Sequence, residues 1–371
     1  MRQFTRICWA LLGIVFIFSG LIKLNDPVGT AFKLEEYFEV FAVDLPSLAG
    51  FFDWFKDQSR FLSIALSSLE VILGVALLLR WYLRRTLYIL LALLVFFGFL
   101  TFYSAFFNKV TDCGCFGDFL KLTPWTSFAK DLFLLVLWGV VFTGQRFLRR
   151  RFVQGTAGLM TMTIASALAI GIGVRALGHL PYFDFLPYKV GNDIGKLMKP
   201  AAPARYKYTF TKNGETKEFA DFPTDSTWKY QSMTVLNPEE ARPVITDLTL
   251  TDPEGNDATQ QLLTGNKLVL IVQNSNKTDR DRFEQLNALF AAAAKSRKNI
   301  GVLTITSTSA GKFDAFRHEM NLATPYFFAD ATVLKTMIRS NPGLMVLHNG
   351  IVRAKYHYHD IPALFQVEKA L

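Results

Sequence analysis

The residues Asp112-Cys113-Gly114-Cys115-Phe116-Gly117-Asp118 hold two of the three cysteines in this 371-residue chain. They lie in a short polar stretch between two long apolar runs, which predicts a loop at the surface of a membrane. Two thiols separated by one glycine at that place indicate thiol chemistry on one side of the membrane.

Five apolar segments are long enough to cross a bilayer, which takes about 20 mostly apolar residues. The predicted spans are Ile7–Leu24, Phe61–Leu79, Leu87–Phe107, Trp125–Thr143 and Phe152–Ala176. The fourth is the weakest, because Lys130 and Asp131 lie near its start. No small-residue cleavage site follows the first segment, so it is interpreted as a retained span and not as a cleaved signal.

Nine arginines, a number equal to the net charge of +9, lie in three segments that contain no acidic residue. They are Arg2, Arg6, Arg80, Arg84, Arg85, Arg146, Arg149, Arg150 and Arg151. Five alternating crossings place these segments on one side of the membrane, which the positive-inside rule makes cytoplasmic. The charge therefore indicates topology and not nucleic-acid binding. We expect a bacterial inner-membrane protein with a cytoplasmic N-terminus and a periplasmic C-terminal domain.

Glu70 lies near the centre of the second span and shares a helix face with Ser67 and Gly74, which would allow close packing of helices. Because an ionised carboxyl inside a bilayer is costly, Glu70 should face the bundle interior, be protonated, or both. Two roles stay open for it, a protonated structural donor between helices or a proton carrier or cofactor contact.

The segment after the first span has apolar residues at helical spacing, Leu34, Tyr37, Phe38 and Phe41, opposite an acidic face. This pattern predicts an amphipathic helix that lies on the membrane surface or packs over the bundle. A lid over the cysteine loop is the alternative.

Three interpretations of the cysteine pair compete. Gly114 permits the backbone geometry of a strained disulfide, which would exchange readily. A structural disulfide is possible, although so small a ring stabilises little, and a metal site fits poorly because zinc takes four ligands. Asp112 and Asp118 should raise the thiol pKa values, so Lys109, Lys121 or a helix N-terminus would have to compensate.

Residues Arg2–Gly144 resemble the DoxX-like superfamily, and most of all its methylamine-utilisation branch, MauE. The resemblance rests on Ser19-Gly20-Leu21-Ile22-Lys23, on the glutamate of the second span and on Cys113-Gly114-Cys115-Phe116-Gly117. It implies a membrane protein in thiol–disulfide traffic of exported proteins, with Cys113 and Cys115 as the redox pair and Glu70 as a buried acid. The fifth span and the large exported domain resemble a Bacteroidetes-type layout.

Quinone-linked disulfide generators typically carry two thiol pairs, whereas this chain has one exported pair. A quinone or a second protein would therefore have to take electrons directly from Cys113 and Cys115.

The exported region begins with a linker at Lys199–Pro203 and a hairpin predicted around Asn213-Gly214. From Pro243 onward predicted strands alternate with helices, which favours an α/β sandwich. Over Thr246–Leu371 this order resembles exported thioredoxin-like oxidoreductases, with Ser340-Asn341-Pro342 where that family keeps a cis-proline.

The expected Cys-x-x-Cys of that family is missing here. After the first central strand the chain reads Asn274-Ser275-Asn276-Lys277-Thr278-Asp279, and no cysteine occurs from Phe116 to Leu371. The domain is therefore predicted to be redox-inactive and to bind a partner through Asn341 and Pro342. His357 and His359 are expected at the surface and not in a metal site.

The predicted fold is thus an α-helical membrane bundle of four DoxX-like spans plus a fifth span, followed by an α/β thioredoxin-like exported domain. The expected segments are 1–145 for the membrane domain, 146–180 for the fifth span, 181–242 for a linker and hairpin, and 243–371 for the thioredoxin-like domain.

The preferred function is a membrane thiol–disulfide oxidoreductase, or a subunit of one, that contacts membrane lipid and an exported protein or envelope-complex subunit. A non-enzymatic scaffold of such a complex is the alternative. A transporter ranks third, because Glu70 is the one charge expected near the membrane midplane.

Overall fold

The computed structural model describes residues 1–110, 116–120, 122–148 and 155–371. The chain forms two compact units, Met1–Phe185 and Leu186–Leu371.

Within the described residues, the first unit is built from seven α-helices. They are α1 (Arg2–Asn25), α2 (Pro27–Asp44), α3 (Ala49–Asp57), α4 (Ser59–Leu79), α5 (Leu83–Phe107), α6 (Pro124–Thr143) and α7 (Gly155–Gly178). Helices α1, α4, α5, α6 and α7 are long and apolar enough to cross a membrane, as the sequence predicted.

Local sequence signals explain where several of these helices begin and end. Asp26 caps α2, because its carboxylate accepts a hydrogen bond from the Gly29 N–H at 2.8 Å. Pro27 and Pro124 occupy the first positions of α2 and α6, where a missing N–H costs nothing. Arg80 ends α4 and Asn108 ends α5, each in a left-handed conformation.

Helices α1 and α4 approach closely through glycines. A Cβ on Gly20 would lie 2.7 Å from the Ser67 carbonyl oxygen, and one on Gly74 would lie 2.9 Å from the Gly13 carbonyl oxygen. Small residues at such positions let the backbones of membrane helices meet. The predicted packing role of Gly74 is confirmed.

The core of the bundle is apolar and lies among α1, α4, α5 and α6. Its buried members include Leu12, Phe16, Leu73, Leu77, Leu87, Leu90, Leu94, Leu134, Leu137 and Val141. Cys8 is buried in this cluster and forms no disulfide.

The amphipathic segment after the first span is helical and packs against α4. Its apolar residues Leu34, Tyr37 and Phe41 are buried, whereas its acidic residues are partly exposed. Of the two predicted placements, the structure has the helix covering the bundle.

The second unit begins with a short helix and a three-stranded sheet. Helix α8 (Ile194–Leu197) precedes strands β1 (Tyr206–Lys212), β2 (Glu215–Phe219) and β3 (Lys229–Val235), in the order β2-β1-β3 with antiparallel pairing. Asn213 and Gly214 connect β1 and β2 with positive φ angles, so the predicted hairpin is confirmed.

The rest of the unit contains a five-stranded sheet flanked by helices. The elements are α9 (Pro238–Ala241), α10 (Thr259–Leu263), β4 (Asn266–Val272), α11 (Phe283–Ala294), β5 (Ile300–Thr306), α12 (Ala310–Glu319), β6 (Tyr326–Phe328), α13 (Ala331–Met337), β7 (Gly343–His348), β8 (Ile351–His357) and α14 (Leu364–Ala370). The strand order is β6-β5-β4-β7-β8.

Strands β4, β5 and β6 run parallel, whereas β7 and β8 are antiparallel to their neighbours, which is the thioredoxin-like arrangement. Central strand β4 is fully buried from Leu268 to Val272, as expected for a strand covered on both faces. Phe283, Phe290 and Phe313 of the flanking helices pack in the same core.

Close packing of α1 and α4 generates a prediction. Gly20→Ala should destabilise the membrane unit by about 1–3 kcal/mol, because the new methyl group collides with the Ser67 carbonyl oxygen and with the stiff, β-branched side chain of Val71. Gly98→Ala is the matched control, because a Cβ there meets nothing within 4 Å and alanine favours the helix. Thermal unfolding in detergent should show a lower midpoint for Gly20→Ala alone. Equal midpoints would contradict the close contact.

Candidate functional site

A buried ion pair joins α1 to α4. The Lys23 ammonium lies 2.5 Å from Glu70 Oε1, and the two residues are only 7% and 2% exposed. The same ammonium lies 4.4 Å from the centre of the Phe97 ring on α5. The prediction that Glu70 faces the bundle interior is confirmed, and its carboxylate accepts from a lysine that the sequence analysis did not pair with it.

The pair borders a small cavity in the bundle, with room of about 50 Å³ for water. Its wall combines lysines, hydroxyls and apolar rings: Lys23, Thr30, Lys33, Leu34, Tyr37, Leu66, Ser67, Glu70, Phe97, Leu100, Thr101 and Lys130. Within the described chain, buried Glu70 Oε2 and Ser67 Oγ have no hydrogen-bond partner. A space of this size and polarity suits a few bound waters, each of which needs about 10–15 Å³.

A second buried carboxylate lies beside the cavity, at the start of α6. Asp131 is 4% exposed, accepts a hydrogen bond from Thr101 Oγ1 at 2.8 Å and lies 2.6 Å from the Lys130 ammonium. The sequence pattern indicates only that Lys130 and Asp131 weaken the fourth span. The structure shows that Lys23 and Asp131, like Glu70, are buried in helices long and apolar enough to cross a membrane.

Cys113 and Cys115 lie outside the described residues, so their role stays a prediction, but both flanks of their loop are described. Val110 is fully buried and packs with Tyr37 and Leu100, two residues of the cavity wall. Its carbonyl accepts from the Ser104 hydroxyl.

The flank after the cysteines also contacts the surroundings of the cavity. The Lys130 ammonium lies 5.4 Å from the centre of the Phe116 ring, and Lys130 lines the cavity. Phe116 packs against Phe18 of α1 at 6.1 Å between ring centres. Both ends of the cysteine loop are therefore anchored on residues around the buried ion pair.

Lys109, one of the cations predicted to favour thiolates, is engaged elsewhere. It donates to Asp44 at the end of α2, and Tyr103 donates to the same carboxylate. These two donors, Lys109 first, hold the pKa of Asp44 below its ordinary value. The positive charge of Lys109 is thus largely balanced by Asp44, and Lys121 lies outside the described residues.

In the second unit, Asn341 and Pro342 lie on the loop before β7, and their peptide bond is cis, as predicted. Asn341 Oδ1 accepts from the Gln273 N–H at 3.0 Å and from the Thr278 hydroxyl at 2.8 Å, while its amide group donates to the Asn274 carbonyl at 2.9 Å. The Asn341 side chain thus holds together the loop after β4, where the sequence has no Cys-x-x-Cys. The role of Asn341 and Pro342 in partner binding stays a prediction.

The expectation of a surface position is wrong for His357, which is 2% exposed. Its Nδ1 accepts from the His359 N–H at 3.2 Å, at the end of β8. Among the residues that the structure describes, no three His, Cys, Asp or Glu side chains gather as a set of metal ligands.

Comparison with known proteins agrees with the resemblance seen in the sequence. The family model described as methylamine utilisation protein MauE matches residues 1–144. No curated protein matches the chain.

Several solved structures are similar to the C-terminal region. A thiol-disulfide oxidoreductase from Bacteroides fragilis is 13% identical, covers 34% of this chain and 97% of its own, and has a TM-score of 0.28. A thiol peroxidase from Chromobacterium violaceum is 14% identical, with 44% and 94% covered and a TM-score of 0.26. A thioredoxin-like protein from Bacteroides caccae is 18% identical, with 33% and 46% covered and a TM-score of 0.23. These likenesses say nothing about activity.

The buried pair generates a prediction about stability. Lys23→Met alone should destabilise the membrane unit by about 3–5 kcal/mol, because it leaves Glu70 as an uncompensated buried charge. Lys23→Met combined with Glu70→Leu should restore much of that loss. Lys56→Met, which breaks partly exposed pairs with Glu39 and Asp53 and does not line the cavity, is the control and should cost at most about 1 kcal/mol. A double variant that unfolds as easily as Lys23→Met would contradict the coupling.

The hydrogen bonds of Asn341 lead to a prediction about the stability of the loop after β4. Asn341→Ala removes the acceptor of the buried Gln273 N–H and should lower local stability by about 1–3 kcal/mol. Hydrogen exchange of the Gln273 amide in the full chain should then accelerate at least tenfold, which corresponds to about 1.4 kcal/mol. Asn276→Ala changes an exposed side chain of the same loop and should leave the rate unchanged. An unchanged rate in Asn341→Ala would show that the loop is held by other contacts.

Proposed function

We propose that the chain is a membrane thiol–disulfide oxidoreductase, or a subunit of one, acting on exported proteins through Cys113 and Cys115. The observation that carries this proposal is the anchoring of the cysteine loop. Val110 packs on the wall of the Lys23–Glu70 cavity, and Phe116 contacts Lys130 of the same wall. A thiol pair whose flanking residues contact the surroundings of a buried acid and base is suited to redox chemistry that moves protons.

The chemistry is thiol–disulfide exchange. When the pair is oxidised, two S–H bonds break and one S–S bond forms, which releases two protons and two electrons. The new disulfide is then attacked by a thiolate of an exported client, giving a mixed disulfide that a second client thiolate resolves. The electrons leave to a membrane quinone or to the disulfide of a second protein.

Glu70 is the proposed proton acceptor for this oxidation. Its Oε2 atom is buried and without a partner in the described chain, while Oε1 accepts from Lys23. Waters in the cavity would connect Oε2 to the cysteine loop, and Lys23 would stabilise the ionised carboxylate between cycles.

The C-terminal unit is proposed to recruit the partner. It has the thioredoxin-like sheet and the loop of Asn341 and Pro342, but no cysteine from Phe116 to Leu371. Such a fold can bind an extended segment of a partner while leaving the electron transfer to the membrane thiols.

The proposed orientation follows the arginines. With Arg2, Arg6, Arg80, Arg84 and Arg85 on the cytoplasmic side, the cysteine loop and the C-terminal unit both face the periplasm of a bacterial cell.

Trapping of thiols in cells tests the proposal. Alkylation should reveal oxidised and reduced forms of the Cys113–Cys115 pair, and Cys113→Ser or Cys115→Ser should accumulate a reductant-sensitive mixed disulfide with an exported protein. Glu70→Gln should slow reoxidation of the pair by about 100-fold, since general acid–base groups contribute about that much or more. Cys8→Ser and Glu36→Gln are the controls, because the first removes a buried thiol of the bundle core and the second a partly exposed carboxylate.

The opposite result would support a scaffold. If the pair never changes redox state, both serine variants are fully functional, and purification yields stoichiometric partners without mixed disulfides, then the chain does not act as an oxidoreductase.

A further inference from the structure

A second pocket of the membrane unit is lined by residues of the α4–α5 turn, the first turns of α5 and the segment after α6. It measures about 710 Å³ and shares no lining residue with the Lys23–Glu70 cavity. Its polar lining residues are Arg80, Tyr82, Arg84, Arg85, Tyr88 and Gln145.

The pocket concentrates positive charge without a carboxylate among its described lining residues. Three guanidinium groups face it, and Arg6 lies close enough to Arg80 to repel it. Burial first, and the charge of Arg6 second, lower the pKa of Arg80. Arg84 and Arg85 are exposed and Arg80 is partly buried, so two solvent-facing guanidinium groups lie beside a third that is partly desolvated.

Two of these guanidinium groups are already held in place by aromatic rings. Arg80 lies over Trp9 at 4.4 Å from the ring centre, and Arg85 lies over Tyr82 at 5.4 Å. Stacking fixes the planar fork of an arginine, which then loses less entropy when it binds two oxygens of a phosphate. The donors are therefore arranged before a ligand arrives.

The position of the pocket favours the phosphate of a lipid headgroup as its ligand. It lies at the ends of α4, α5 and α6, where apolar spans give way to polar turns, and phospholipid headgroups are expected at this depth. Tyr82 and Tyr88 are about half exposed there, as tyrosines at a membrane–water boundary commonly are. Leu83 and Leu148 add apolar surface to the pocket wall.

We propose that this pocket binds the phosphate group of an anionic phospholipid, with the guanidinium groups of Arg80, Arg84 and Arg85 as its donors. The site is independent of the thiols, and its occupancy would fix the α4–α5 turn at the membrane surface. A free phosphate offers the same oxygen chemistry without the acyl chains, and the test separates the two sources.

Binding can be measured on the full chain in a neutral detergent, by native mass spectrometry and by thermal unfolding with added lipid. Phosphatidylglycerol should bind and raise the unfolding midpoint, whereas phosphatidylcholine and inorganic phosphate at the same concentration should not. Arg84→Gln combined with Arg85→Gln should weaken phosphatidylglycerol binding roughly 30-fold, since each lost charge-assisted contact to the phosphate costs about 1 kcal/mol or more.

Arg2→Gln combined with Arg146→Gln is the matched control, because it removes the same charge from arginines that do not line the pocket. It should change the affinity less than about threefold, well under the effect of two lost contacts. Equal losses in the two double variants would overturn the proposal in favour of general surface charge, and an equal response to inorganic phosphate would overturn the lipid assignment. If the glutamine variant does not fold, Arg84→Lys with Arg85→Lys keeps the charge but loses the forks, and unchanged binding in that variant would overturn the arginine site.

Discussion

The backbones of α1 and α4 meet through Gly13, Gly20 and Gly74, and this approach brings the Lys23 ammonium against the Glu70 carboxylate. A lone charge buried in an apolar bundle is costly, so the Lys23 ammonium on α1 and the Glu70 carboxylate on α4 stabilise each other. The glycines therefore have a second effect besides packing. By letting α1 and α4 approach closely, they allow the buried Lys23 ammonium and Glu70 carboxylate to form an ion pair. Helix α2 covers the remaining opening and supplies Thr30, Lys33, Leu34 and Tyr37 to the cavity wall.

Much of this architecture follows from periodicity and turn chemistry. Five apolar runs predicted five long helices, and Asn213-Gly214 predicted the hairpin of β1 and β2, because its turn needs residues that accept positive φ. Strand β6 was not predicted, because three residues carry too little pattern. Strand β3 was not predicted either, because its mostly exposed residues show no alternation of burial.

The ion pair was harder to foresee than the helices. Glu70 was recognisable, since an acid inside an apolar run must be accommodated, but nothing in a one-dimensional pattern says which cation meets it. Lys23 looked like the polar end of a span, and Asp131 looked like an interruption of another. A stricter rule, that every charge within an apolar run requires a named partner, would have directed attention to all three.

The C-terminal unit contains no cysteine at all, in contrast to the membrane unit with its three. If the chain supplies disulfides to an exported compartment, as proposed, a need for disulfides in its own domains would create a problem of biogenesis, because the first copies would mature only with help from copies already made. Residues 186–371 would avoid this dependence, since their sheets and helices are held by an apolar core, hydrogen bonds and ion pairs, and contain no cysteine. The unit can therefore fold whatever the redox state of its surroundings.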